Sequence, residues 1–255
     1  MRTVILAGGV GSRLAEETMV KPKPMVEIGN HPILWHIMKH YAQYGMRTFV
    51  IALGYKGEYI KRYMTDFATM TGDLKVHVAT GTVEMSADQR EDWTVDLVDT
   101  GLNTETGGRM LRVGHLLDRT FMMTFGDGVS DVDLHELLAF HRSHGRLATL
   151  TAVRPPARFG HVELEGDRVA VFSEKPQTGE GWINGGFFVL EPEVLGYIDR
   201  EDTYFQKEPL ERLAAEGQLM AFRHESFWQC MDTLRDKVLL QNLWDAGHAP
   251  WKTWP

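Results

Sequence analysis

Gly8, Gly9 and Gly11 crowd into the run Leu6-Ala7-Gly8-Gly9-Val10-Gly11-Ser12-Arg13-Leu14. A backbone this free of side chains can aim successive N–H groups at one anion, and Arg13 adds a forked donor for a second phosphate. Lys21-Pro22-Lys23-Pro24-Met25 follows, with two compact cations on a stretch that the prolines keep out of a helix. In Gly126-Asp127-Gly128 a carboxylate sits between glycines, suited to Mg²⁺, which takes one or two carboxylates and completes its shell with phosphate oxygens and water. Asp232, in Met231-Asp232-Thr233, is a second candidate carboxylate. Read alone, it fits better as the N-cap of the helix that begins there. Glu174-Lys175-Pro176 and Asn184-Gly185-Gly186 offer a carboxylate, an amide and open backbone for hydroxyl groups, and a lysine for a phosphate. The common theme is phosphate-ester chemistry.

Other chemistries fail on spacing. A dinucleotide fingerprint needs glycine where Leu14 stands, and a Walker loop needs Gly-Lys-Ser/Thr. His135-Glu136 opens a zinc-protease pattern, but position 139 is Ala139, so the second histidine is missing. The histidines are expected mostly at the surface or at caps. Cys230 is the sole cysteine, which excludes an internal disulfide and a cysteine metal cage; a small buried hydrophobe is expected there.

The elements that position these residues follow from hydrophobic period. Thr3 to Leu6 and Thr48 to Leu53 are short apolar runs ending near glycine, expected as strands covered on both faces. Between them Ile33, Leu34, Ile37, Met38 and Tyr41 recur at helical spacing behind Pro32. A helix around Tyr59 to Met64, strands at Val95 to Val98 and Phe121 to Phe125, a helix capped by Asp131 or Asp133, and a strand at Ala148 to Val153 continue the alternation. Glu165-Gly166-Asp167 joins a hairpin, Phe187 to Leu190 is a further strand, and Arg235 to Gly247 a last helix. The fold class is therefore α/β, with a mostly parallel, Rossmann-like sheet flanked by helices.

A chain of 255 residues stays within the ~250–300 that one core can serve. One domain, 1–255, is expected, whose halves are 1–153 and 154–255, the second carrying the hairpin and the C-terminal helix. The formal charge of −8, from 27 Lys+Arg against 35 Asp+Glu, argues against nucleic acid as a partner. No apolar run approaches ~18 residues, and Val4 to Ala7 is too short for a signal segment, so no membrane partner and a cytoplasmic location are expected.

Taken in order, Leu6 through Leu14, Lys23-Pro24-Met25, Gly126-Asp127, Glu174-Lys175-Pro176, Asn184-Gly185-Gly186 and Asp232 resemble the sugar-1-phosphate nucleotidyltransferase family across the whole chain. Lys21 through Gly29, Leu97-Val98-Asp99-Thr100-Gly101, Thr106-Gly107-Gly108-Arg109, Phe227-Trp228-Gln229 and Ala249 through Trp254 are similar to the branch that uses CTP and glucose 1-phosphate. The resemblance implies a nucleotide-diphospho-sugar transferase fold with a small sugar-binding extension. It also implies Mg²⁺ as cofactor, CDP-glucose and pyrophosphate as products, and a use in dideoxysugar supply for lipopolysaccharide O-antigen.

By the same resemblance Leu6, Ala7, Gly8, Gly9, Gly11, Ser12 and Arg13 hold the nucleotide, with Lys23 at its phosphates. Thr104, Arg109 and Gly126 take base and ribose, and Asp127 and Asp232 the metal. Glu174, Lys175, Asn184 and Gly185 take the sugar phosphate, and Arg13, Lys23, Asp127, Lys175 and Asp232 carry catalysis. A homo-oligomer is implied, a hexamer being one such assembly, and aromatic residues at Trp251 to Trp254 suggest a subunit contact. Rival expectations are a sister enzyme using dTTP or UTP, a glycosyltransferase holding its metal on Asp131-Val132-Asp133, and a silent sensor of sugar nucleotides.

Overall fold

A computed structural model describes residues 1–11, 14–71, 73–85, 91–155, 161–165, 168–173 and 181–254. Its centre is a seven-stranded sheet in the spatial order Leu219–His224, Ala148–Val153, Ile183–Leu190, Phe121–Phe125, Arg2–Ala7, Thr48–Leu53, Thr94–Asp99. Arg2–Ala7 lies parallel to both Thr48–Leu53 and Phe121–Phe125, and Thr94–Asp99 extends the parallel set. Ile183–Leu190 alone runs antiparallel, to both of its neighbours. It admits Ala148–Val153 and Leu219–His224 as an extension of the same sheet, so the second half of the chain widens the first.

Alternation along the strands sorts the core into two layers. Ile5, Ala7, Phe49, Ile51, Leu53 and Met122 pack on one face with Ile33, Leu34, Ile37 and Tyr41 of the Ile33–Gln43 helix. Val4, Leu6, Val50, Ala52 and Met123 pack on the other with Met110 and Val113 of Thr106–Val113 and Leu210 and Leu213 of Glu208–Ala215. Strands buried on both faces need apolar side chains at consecutive positions, which is why Val4 to Ala7 and Phe49 to Leu53 read as unbroken runs. The carboxyl ends of the parallel strands open at one edge, where open α/β sheets bind ligands. The glycine-rich turn follows Arg2–Ala7 there, and Gly126-Asp127 follows Phe121–Phe125.

Two expectations are corrected. Trp251 and Trp254 are buried within the chain itself, around His36 with Trp35 and Trp244, so they need no subunit contact to leave water. Six of the ten histidines whose side chains are described are exposed or half-buried, in line with expectation, while His36, His40, His141 and His224 are buried among hydrogen-bonding partners or aromatic rings. Asp232 is not the cap of the last helix, Leu234–Asp245: Thr233 is, in a capping box with Asp236. Asp133 rather than Asp131 caps Leu134–His144. No described helix is long and apolar enough to cross a membrane.

His36 gives the fold an acid-sensitive joint. Its Nε2 lies 2.9 Å from the carbonyl of Ile28 and its Nδ1 3.3 Å from the indole N–H of Trp251. Nε2–H donates and Nδ1 accepts, an assignment that only the neutral ring satisfies. Burial lowers its pKa to about 4, against ~6.5 in an unfolded chain. Between those values the unfolded chain binds the extra proton, so stability is lost as pH falls through that window, by up to ~1.4 kcal/mol per pH unit, and is unaffected above it. Burial lowers His40 to about 4 as well, so urea unfolding from pH 7.5 down to 5 is expected to show the slope of both rings and His36→Gln to reduce it by about one proton's share; equal slopes would refute the assignment.

Candidate functional site

The cleft at the carboxyl edge is lined by Leu6, Ala7, Gly8, Gly9, Gly11, Lys23, Thr104, Arg109, Gly126, Asp127 and Asp232, with Pro24, Glu105, Thr106 and Phe125. A second cleft beside it is lined by Asn184 and Gly185 together with Thr124, Phe125, Asp127, Gly128, Gly186, Gln206, Trp228, Cys230 and Asp232. Phe125, Asp127 and Asp232 belong to both. The two hollows therefore meet over two carboxylates. Ser12, Arg13, Glu174 and Lys175 lie outside the described residues.

A short antiparallel ribbon brings the aspartates together although they are far apart in sequence. Gly128–Ser130 pairs with Trp228–Cys230, Gly128 opposite Cys230, and the N–H of Met231 donates to the carbonyl of Asp127 at 2.8 Å. Both aspartates flank the same end of that ribbon, where Gly128 faces Cys230. Beyond Asp232, the carboxylate of Asp236 accepts from the N–H of Asp232 at 3.1 Å, from the N–H and hydroxyl of Thr233 at 2.8 Å each, and from Gln229 Nε2 at 3.2 Å. The helix cap thus also fixes the turn that presents Asp232. No role was expected for Asp236; the Thr233-x-x-Asp236 spacing was its available signal.

Lys23 completes the centre. Its ammonium lies 2.7 Å from Asp127 Oδ2 and 2.5 Å from Asp232 Oδ1. Burial works against the charge, but the two carboxylates outweigh it and hold the lysine above its ordinary pKa. The residue sits in the tight turn Lys23–Met25 between Pro22 and Pro24, which fixes where its stem departs. Lys21 pairs instead with Glu27 at 3.2 Å.

Arg109 shapes the glycine-rich turn from below. Its guanidinium donates to the carbonyls of Leu53 at 3.0 Å, Gly101 at 2.7 Å, Gly8 at 3.0 Å and Leu102 at 3.4 Å, and to the Thr100 hydroxyl at 2.8 Å. One buried cation thereby ties together the loops after two parallel strands and the end of a third. Burial lowers its pKa, and the carbonyl dipoles solvate it in place of water. A Cβ on Gly8 would stand 2.1 Å from the Arg109 guanidinium carbon, so Gly8 is glycine because of the arginine. Gly11 is glycine because its φ is +66°, a conformation that L residues rarely adopt. A Cβ on Gly9 would meet nothing within 4 Å.

On the second cleft's side, Asn184 Oδ1 accepts from the N–H of Gly186 at 2.8 Å, and the Trp228 indole donates to the carbonyl of Gly185 at 2.7 Å. That leaves the amide nitrogen of Asn184 beside the cleft. Trp228 and Gln206 had no expected role. Cys230 is half-buried, contrary to the expected buried hydrophobe, because the ribbon faces it toward this cleft. Burial and the nearby charges of Asp232 and Asp127 push its thiol up to about 11, so it stays protonated and is no nucleophile. The Asp131-Asp133 pair is otherwise committed: Asp131 Oδ1 pairs with His224 at 2.9 Å and Oδ2 accepts from Ser226, while Asp133 caps its helix.

A family model described as nucleotidyl transferase matches residues 2–236. The chain is similar to glucose-1-phosphate cytidylyltransferase of Salmonella typhi, 52% identical with 100% of each chain covered. It is 41% identical, again over 100% of each chain, to the Bacillus subtilis (strain 168) protein named "Probable glucose-1-phosphate cytidylyltransferase". Its fold is shared with a crystal structure of UDP-glucose pyrophosphorylase complexed with UDP-glucose, at TM-score 0.69 and 13% identity, covering 96% of this chain and 98% of that one. A family match spanning both halves of the sheet, with full-length relatives at this level of identity, places the chain in the nucleotidyl transferase family.

Proposed function

We propose that this protein transfers CMP from CTP to α-D-glucose 1-phosphate, releasing pyrophosphate and forming CDP-glucose. The observation that carries this is the junction of the two clefts over Asp127 and Asp232. A triphosphate on one side and a sugar phosphate on the other would meet there. The relative at 52% identity, named glucose-1-phosphate cytidylyltransferase, supports the choice of base and sugar. Residues 1–153 supply the nucleotide side, and 154–255 supply the sugar-phosphate side and the second aspartate.

A sugar phosphate already carries an anionic oxygen at neutral pH, so attack on the α-phosphorus needs no general base. The obstacle is bringing two polyanions into line, which makes charge neutralisation and positioning the main tasks. Asp127 and Asp232 fit Mg²⁺: both carboxylates already converge on one cation, the Lys23 ammonium. Among the described residues no group of three or more His, Cys, Asp or Glu could hold a metal, so a cation here would share its shell with phosphate oxygens. When bound, the ion supplies divalent charge to those oxygens.

The chain's own groups do the rest. Leu6 and Ala7 border the nucleotide, and N–H groups of Gly8 to Gly11, with Ser12 and Arg13, hold the triphosphate and favour departing pyrophosphate. Lys23 binds phosphate oxygens. Thr104 and Gly126 border base and ribose, and Arg109 holds the floor beneath them. Glu174, Asn184 and Gly185 orient the sugar, and Lys175 steers its phosphate.

Pyrophosphate release measured with five nucleoside triphosphates against several hexose 1-phosphates tests this. CTP with glucose 1-phosphate is expected to exceed UTP and dTTP by about 100-fold or more, as polar readout of one exocyclic group allows. Preference for UTP or dTTP would overturn the base assignment. Sugar transfer to an acceptor without pyrophosphate would overturn the reaction class.

A further inference from the structure

We infer that Lys23 makes the enzyme select the metal–nucleotide complex over the free divalent cation, by occupying the carboxylate pair itself until a triphosphate draws it away. The inference rests on the proposed role of Asp127 and Asp232 as metal ligands and goes beyond it. Its ammonium lies 2.7 Å from one carboxylate and 2.5 Å from the other, on a side chain only 12% exposed. A cation ligated by both carboxylates would be forced against that ammonium. Free Mg²⁺ therefore has to displace a buried ammonium from both of the carboxylates it contacts.

The geometry supplies an exit only when phosphate is present. A Cβ built on Gly11 would lie 3.1 Å from Lys23 Cβ and 3.6 Å from its Cδ, so the lysine stem runs against the glycine-rich turn. Pro22 and Pro24 fix the backbone beneath it, so the end of the side chain is the part free to move. A triphosphate cradled by Gly8 to Gly11 would give the ammonium a new partner while the accompanying cation takes the carboxylates. Charge stays paired throughout the exchange. Metal alone would displace the lysine without offering it a phosphate, and nucleotide alone would draw the lysine off without offering the carboxylates a cation.

Mn²⁺ affinity of the full-length protein, read by electron paramagnetic resonance without nucleotide, tests the inference. Lys23→Met keeps length and removes charge, and is expected to bind Mn²⁺ about tenfold or more tightly than the wild type. Lys23→Arg keeps the charge and is expected to stay weak. A non-hydrolysable CTP analogue is expected to raise wild-type Mn²⁺ affinity strongly and that of Lys23→Met much less, since coupling between two ligands is reciprocal. Equal or weaker Mn²⁺ binding by Lys23→Met would overturn the inference while leaving the metal site intact. If Asp127→Asn left Mn²⁺ affinity unchanged with the analogue present, the metal site and the inference would fall together. Thermal melting of each variant separates these outcomes from misfolding.

Discussion

Asp127→Asn is expected to lower the turnover number by about 10³-fold, the scale seen when one preorganised electrostatic contact to the reacting group is removed, while leaving the fold as stable as before. The second half of that expectation follows from the pairing around Lys23. Its ammonium contacts both carboxylates, so on loss of Asp127 it keeps its ion pair with Asp232. The Asp127 side chain is 31% exposed, and ion pairs near water contribute little net stability. Pyrophosphate release and thermal melting report the two halves separately. Near-normal turnover would remove Asp127 from the reaction, and a collapsed melting point would show it to be structural.

Gly8→Ala is expected to produce the other large effect. The new methyl would fall 2.1 Å from the Arg109 guanidinium carbon, and that guanidinium cannot swing aside cheaply because it holds the carbonyls of Gly8, Leu53, Gly101 and Leu102. Leaving buried acceptors without donors costs ~1–3 kcal/mol apiece. A loss of about 3 kcal/mol or more is expected, which lowers the melting temperature by roughly 6–12 °C in a chain of this size, with CTP affinity falling about 100-fold as the turn loses its shape. Gly9→Ala meets no neighbour and is expected to melt like the wild type. Matching melting points for the two variants would show that Arg109 does not set the turn.

The contrast between Gly8 and Gly9 marks what a sequence can and cannot disclose. That the glycine-rich run follows a buried strand is visible in Val4 to Ala7, because a two-sided strand leaves a local trace in hydrophobicity. That Gly8 is required by Arg109 is not, since the arginine's carbonyl partners come from two loops and a strand end and carbonyls have no residue code. The two aspartates were recognisable as carboxylates, but their meeting depends on the ribbon pairing of Gly128 with Cys230. Asp232 looked like a helix cap until Thr233 was seen to fill that place. Trp251 and Trp254 read as a sticky tail because the cavity around His36 that receives them is assembled from distant segments. Of the antiparallel Ile183–Leu190 strand only the apolar half, Phe187 to Leu190, was legible, because Asn184-Gly185-Gly186 carries no hydrophobic trace, and nothing local tells an apolar run its neighbours or direction.

The central claim is that two clefts share one pair of carboxylates, so that nucleotide and sugar phosphate react across them. A crystal structure of the protein with CDP-glucose and Mg²⁺ tests it most directly. The expected result is cytidine in the cleft of Gly8 and Thr104, glucose beside Asn184, and the diphosphate crossing between Asp127 and Asp232 with the ion on both. A product lying wholly within one cleft, or an ion bound away from these aspartates, would contradict it.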